Sequence, residues 1–379
     1  MPVSRYLTEG LRPSDSPTRS LARRFAGALR SRGSLAALVR CRPRPVRACA
    51  IVILGWAVLA ADGCARRSTV PAALSDREFW SLIEALSEPP GRFTVSDNLL
   101  SNEPHVAENV RQLPRSGGVY IGVGPEQNFS YIERARPQVA FIVDIRRENL
   151  SLHLLYKALF DLSADRADFV SRLFSRGRPS GLDAGASAQE VFKRFGVMPP
   201  SSELLDKTGT LVRERLLTAR GLPLSQADLD WIARVLKAFY EGGPEIRFWG
   251  TPDIDAIQPS YRELMTARDI IGQTRSYLAS EEGFQFVKDL QSRNLVVPVV
   301  GDFGGQGALR RIGDYVRARG DAVHAFYGSN VGVYLNTQQQ KGFCANLESL
   351  PRATGAWFIE RDGLRLLSSR LKACSGPAK

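Results

Sequence analysis

Distinctive residues stand at the ends of four short apolar runs in this chain. The run Val119-Tyr120-Ile121-Gly122-Val123-Gly124 closes on a glycine pair, and Val139-Ala140-Phe141-Ile142-Val143 ends in Asp144. Leu295 to Val300 leads into Gly301-Asp302-Phe303-Gly304-Gly305, and Ala322 to Tyr327 leads into Gly328-Ser329-Asn330. Gly122 and Gly124 let a backbone turn tightly and approach a ligand with no Cβ in the way. Asp144 lies 20 residues beyond Gly124, the spacing at which an acid accepts hydrogen bonds from ribose hydroxyls. Asp302 offers a carboxylate to a substrate amine or a cofactor group. His153 and Tyr156, three apart on one helix face, are candidates on the substrate side, with His153 able to act as a base near neutral pH. Asn330 joins them. Each residue also has a plainer role: the glycines a tight turn, Asp144 a partner for Arg146 or Arg147, Asp302 and Ser329-Asn330 turn or cap residues, His153 a packed helix residue.

The loop after the first run selects among ligands. Gln127 stands where a G-x-G-x-x-G fingerprint has its third glycine. Pro125 removes one backbone donor and Glu126 places a negative charge at the start of the following helix. Both disfavour a pyrophosphate, which uses the free N–H groups and positive end of a helix. A glycine loop and a distal acid without phosphate selection suit a nucleoside ligand such as S-adenosylmethionine. No H-E-x-x-H, G-x-S-x-G or C-x-x-C pattern occurs, so zinc hydrolase, serine hydrolase and dithiol chemistry have no support. Five Cys and three His are too few and scattered for a disulfide scaffold or a metal module, although Cys344 and Cys374 could pair in an exported protein.

The elements that must hold these residues alternate. Apolar strands at 119–124 and 139–144, each followed by a helix (125–136 and 149–162), make a βαβ unit with a right-handed crossover. A stretch at about 163–243 reads as a helical insertion, with helices at 167–174, 187–195, 201–219 and 226–240. Further strands are expected at 246–249, 295–302 and 322–327, the second of these carrying Pro298, which central strands avoid. Helices are expected at 76–86, 261–268, 277–292 and 306–319, residues 91–116 read as irregular, and 356–359 as a late strand, antiparallel at the edge. The expected fold class is α/β: a mostly parallel Rossmann-like sheet with flanking helices and a helical insertion, spanning 75–379. In such a sheet ligands sit beyond the carboxyl ends of the strands, where all four candidate clusters fall.

The chain of 379 residues is 44% hydrophobic and 24% charged, which excludes a mainly disordered, collagenous or coiled-coil protein. Its net charge of +12 is uneven: residues 1–70 carry 13 Arg against three acids, while 71–379 carry 38 basic and 36 acidic groups. The near-neutral body argues against nucleic acid as a partner. Residues 1–47 form a basic leader without an apolar period. Ala48 to Ala61 is an uncharged apolar run of 14 residues, short of the about 20 that span a bilayer and suited to an export signal. With Gly63 before Cys64, segment 48–64 loosely resembles a lipoprotein cleavage box, so a chain starting at Cys64 would be lipid-anchored there. A start near Val46, with Arg47 as the charged end, makes a compact signal; an uncleaved anchor with the Arg-rich leader inside is the other reading. Either places the protein at the membrane or in the cell envelope.

The segments Val119 to Phe129 and Phe141 to Asn149 resemble the opening of class I S-adenosylmethionine-dependent methyltransferases. More closely, the chain resembles an uncharacterised bacterial protein family built on that core, through GVGPEQN, VDIRR, His153 to Lys157, VGDFGG and Ser329-Asn330-Val331. The resemblance covers about residues 75–345. It implies that Gly122, Gly124, Asp144 and Asp302 line an ancestral cofactor cleft, with Asn128 of the same loop in the cofactor-binding set. One departure is Gly332, where an acid is expected after Ser-Asn-Val. The expectation is a methyltransferase-like protein binding a nucleoside-type small molecule. The alternative is a non-catalytic envelope lipoprotein that uses a degenerate cleft or the helical insertion for a partner, since an exported domain would meet little S-adenosylmethionine.

Overall fold

The structure, a computed structural model, describes residues 68–93, 98–247 and 258–374. The leader at 1–47, the signal or anchor segment at 48–64 with Cys64, and Phe248 and Trp249 of the strand expected at 246–249 lie outside the described residues. Arg247 makes an isolated antiparallel bridge to Ser260.

Six strands form one sheet: β1 (Val119–Val123), β2 (Val139–Asp144), β3 (Val296–Val300), β4 (Val323–Tyr327), β5 (Arg352–Glu360) and β6 (Gly363–Leu366). Their order is β3-β2-β1-β4-β5-β6, with every pairing parallel except β5 with β6. All six residues of β2 are buried, as a parallel strand covered on both faces requires. Pro298 is accommodated because β3 is an edge strand, where its missing N–H breaks no ladder. The late strand expected to be antiparallel is β5, which pairs parallel with β4; the antiparallel edge is β6.

Fourteen α-helices flank the sheet among the described residues. The first four are α1 (Asp76–Leu86), α2 (Val106–Gln112), α3 (Gln127–Ala135) and α4 (Arg147–Leu162). Between α4 and β3 run α5 (Arg166–Phe174), α6 (Ala188–Gly196), α7 (Ser202–Glu214), α8 (Gln226–Gly242), α9 (Tyr261–Thr266) and α10 (Glu281–Ser292). After β3 come α11 (Ala308–Ala318), α12 (Val331–Tyr334), α13 (Thr337–Ser349) and α14 (Leu367–Cys374). Local chemistry sets many boundaries. Ser75 and Glu78 close a capping box on α1, and Ser225 and Asp228 do so on α8. Asp228 also receives Arg147 Nε (2.9 Å) and the Ser151 hydroxyl (3.0 Å), which fastens the helical stretch to α4. The sequence misses α2, α12, α13 and α14.

The core runs through both faces of the sheet, and Phe129 is at its centre, edge-on to the rings of Tyr156, Phe160 and Tyr277 at 5.3 Å each. A disulfide joins Cys344 on α13 to Cys374 on α14, with Cα atoms 5.7 Å apart. Among the described residues no helix is long and apolar enough to cross a membrane, and no three His, Cys, Asp or Glu side chains cluster to hold a metal ion.

Candidate functional site

The strand order reverses between β1 and β4: the chain leaves β1 for β2 on one side and leaves β4 for β5 on the other. Loops diverging at such a point open a crevice beyond the carboxyl ends. A cavity of about 250 Å³ lies there. Register explains who meets in it. Asp144 is opposite Val300, so the end of β2 is beside Gly301-Asp302, and Ile121 is opposite Phe326, so Gly124 is near the end of β4. Gly124, Asp144, Asp302 and Asn330 all line the cavity, joined by Glu103 and Gln127. Phe93 and Tyr334 add an edge-on ring pair, 4.9 Å between centroids, to its wall.

The β1–α3 loop is stapled from within. Gly124 takes φ +77°, a left-handed conformation glycine reaches without strain. Asn128 Nδ2 donates to the carbonyls of Val123 (2.9 Å), Gly124 (3.2 Å) and Pro125 (2.7 Å), while its Oδ1 accepts the Tyr120 hydroxyl (2.8 Å). A Cβ on Gly122 would overlap that amide oxygen and the Tyr120 ring. Gly122 and Asn128 therefore shape the loop from behind, outside the cavity lining. His153 is buried behind the same loop; its Nε2–H donates to the Gly124 carbonyl (2.9 Å) and burial lowers its pKa to about 4. It is a neutral clamp on the loop there. Tyr156 is in the aromatic core, its ring against Phe129 and Phe169 and its hydroxyl without a partner among the described residues. The structure thus brings together Gly124, Asp144, Asp302 and Asn330 and leaves Gly122, Asn128, His153 and Tyr156 behind the site.

Asp144 and Arg146 form a buried bidentate pair: Oδ1 accepts Arg146 Nε (3.1 Å) and its backbone N–H (3.0 Å), and Oδ2 accepts Nη2 (3.1 Å). Such forked pairs are the stronger, more directional kind. Asp302 closes its own turn, with Oδ1 accepting the Gly304 N–H (2.8 Å), and its backbone N–H donates to Glu88 (3.0 Å). Glu88 also fills the space over Gly307, at the start of α11, so a carboxylate of the chain already occupies the glycine-rich turn after β3.

A further carboxyl group enters from the stretch before α2, which the sequence reads as irregular. Glu103 is 2% exposed. Its Oε1 accepts the hydroxyl of Ser329, a residue at φ +47°, and the Tyr327 hydroxyl faces the same carboxyl. Gln127 Nε2 donates to that Tyr327 oxygen (2.9 Å). Burial raises the Glu103 pKa above the usual carboxylate range. Next to it Glu126, buried and receiving the Ser101 N–H at 3.1 and 3.2 Å, has its pKa raised to about 8, chiefly by desolvation. Sequence reasoning passed over Glu103, Tyr327 and the site role of Gln127; the one available signal was Gln127 in place of the third glycine.

No curated protein sequence matches the chain. A family model described as a domain of unknown function (DUF7790) matches residues 99–181 and 235–359, spans that contain Glu103, the β1–α3 loop, Asp144, Asp302 and Asn330. Those spans make up more than half of the sequence, and the chain belongs to this DUF7790 family.

Proposed function

We propose that the protein binds a nucleoside-type small molecule, with S-adenosylmethionine the first cofactor to test, in the cavity between the ends of β1 and β4. The observation that carries this reading is the convergence of Gly124, Asp144, Asp302 and Asn330 on one hollow at the reversal of strand order. In this reading Gly124 gives close backbone approach, Asp144 meets ribose hydroxyls while sharing its charge with Arg146, and Asp302 meets a polar cofactor or substrate group. Methyl transfer would ask of the protein mainly positioning and electrostatics. The Glu88 carboxylate over the turn after β3 supports a ligand without phosphates, because it sets a negative charge where a phosphate would lie.

Calorimetric titration of the full chain with S-adenosylmethionine and S-adenosylhomocysteine tests the reading. Heat fitting a dissociation constant in the millimolar range or tighter is expected; silence from both at millimolar concentration sinks it.

The Cys344–Cys374 disulfide favours a second reading, a non-catalytic protein of the cell envelope tethered through its N-terminal segment, because disulfides persist in oxidising compartments. A reporter fused to the C-terminus and active only outside the cytoplasm separates the two, since a methyl donor is made inside.

A further inference from the structure

Two residues that line the cavity each carry a buried oxygen that accepts no hydrogen bond from the described residues. Among the described residues Glu103 Oε2 and Gln127 Oε1 make no hydrogen bond, although their residues are only 2% and 5% exposed. Leaving such atoms unpaired is costly, and native structures rarely do so without a ligand, water or functional reason. The local donors are already spent. Gln127 Nε2 is given to the Tyr327 hydroxyl and points toward the Val123 carbonyl (3.5 Å), so the amide oxygen cannot trade places with it without setting two oxygens against each other. The Tyr327 and Ser329 hydroxyls both direct their protons to Glu103. With Glu103 ionised, every proton in this network runs toward it, and the free valences left over are lone pairs.

The charges complete the case. Of the two arginines lining the cavity, Arg146 is engaged by Asp144 and Arg92 is exposed. Asp302 adds a further carboxylate to the lining, its Oδ1 engaged by the Gly304 N–H. The groups that act on Glu103 from its surroundings are Arg361, opposed by Asp362, together with Glu126 and the phenols of Tyr120, Tyr131 and Tyr327. Burial favours the protonated form of Glu103, and a cation beside it would offset that and favour the carboxylate. A neutral hydroxyl would satisfy one lone pair and leave that charge unmatched; an ammonium group satisfies both.

We propose that Glu103 and Gln127 form the anchor for a protonated amino group, so that the ligand of this cavity is a compact amine. This rests on the reading of the cavity as the ligand site, and it names what part of the ligand that site grips. The amine N–H groups donate to Glu103 Oε2 and Gln127 Oε1, and Asp302 of the same lining adds negative charge to balance the ammonium.

The test uses the full chain and three probes in calorimetric titration: S-adenosylhomocysteine, which carries an amino group; adenosine, which carries the nucleoside without it; and 1,4-diaminobutane, an amine without a nucleoside. Glu103→Gln and Gln127→Met are compared with the parent, each checked for an unchanged melting transition. The proposal expects S-adenosylhomocysteine to bind at least tenfold tighter than adenosine, and the gap to close in Glu103→Gln and narrow severalfold in Gln127→Met. Binding of 1,4-diaminobutane that Glu103→Gln abolishes, with no response to either adenosine compound, supports the amine anchor and overturns the nucleoside reading. Equal affinity for adenosine and S-adenosylhomocysteine, or a folded Glu103→Gln that binds like the parent, overturns the anchor and leaves the nucleoside reading standing. No heat from any probe at millimolar concentration overturns both.

Discussion

Glu126 illustrates how one buried side chain can make stability depend on pH. Its pKa is about 8 in the folded protein and near 4.5 when exposed. Between those values the folded chain holds a proton that the unfolded chain has released, so stability is fully present below about pH 4.5 and is lost as pH rises through 8. Each pH unit in that window is worth about 1.4 kcal/mol at most. Glu126→Gln mimics the protonated acid. We expect its unfolding free energy in urea to match the parent at pH 5 and to exceed it by roughly 2–4 kcal/mol at pH 8.5; equal values at both would place Glu126 in a solvated setting. Two other buried groups act in the opposite sense. His153, with its pKa lowered to about 4, contributes stability above pH 6.5 that is lost as pH falls toward 4. Lys157, over the Phe79 ring at 4.8 Å and with its pKa lowered to about 7, contributes stability above pH 10.5 that is lost as pH falls toward 7. The Glu126 variant isolates one term among the three.

At the level of elements, the β1–α3 connection behaves as a prefabricated wall. Asn128 ties three successive carbonyls to itself, His153 clamps the middle one from α4, and Glu126 holds the 99–103 segment by the Ser101 N–H. The segment that carries Glu103 is thus fixed to the loop that carries Gln127. Asn128→Ala removes the shared donor and leaves buried carbonyls and the Tyr120 hydroxyl short of a partner. It should cost about 1–3 kcal/mol in urea unfolding and weaken any ligand that uses Gly124 or Gln127. A variant with parent-like stability would mean that the loop holds its shape without the staple. The turn after β3 has its own brace: Asn346 on α13 donates to the Phe303 (2.8 Å) and Gly305 (2.6 Å) carbonyls.

Over the whole molecule, the disulfide is the cross-link that secures the last layer. It closes a 30-residue separation that contains β5 and β6, and so ties the sheet's far edge to α13. By loop-closure entropy a bridge of that span stabilises by about 3–4 kcal/mol. Cys374→Ser should lower the unfolding free energy by about that amount under oxidising conditions, and a thiol reductant should bring the parent down to the same level. A parent insensitive to reductant would show that the two thiols stay reduced in the protein as isolated. Most of the buried core, on the strands β1 to β4 and the helices that flank them, lies before Cys344 and outside the bridged span.

The strand runs at 119–123, 139–144, 296–300 and 323–327, and the placing of Gly124, Asp144, Asp302 and Asn330 at their ends, were legible in the sequence alone. Those features are written in short-range patterns: continuous apolar runs, glycines where a chain must turn, and the rule that parallel strands present their carboxyl ends to one side. What the tertiary structure decided is which way each side chain faces and what arrives from elsewhere. Asn128, His153 and Tyr156 have the types of site residues, yet packing turns them to the back of the loop and into the core. The parallel direction of β5 and the closure by β6 depend on strand neighbours far apart in the chain. Glu103 reaches Ser329 across 226 residues, a contact no local period encodes. Spacing along a chain sets the backbone's choices within a few residues, whereas burial, and with it the charge state and partners of each acid, exists only once distant segments have come together.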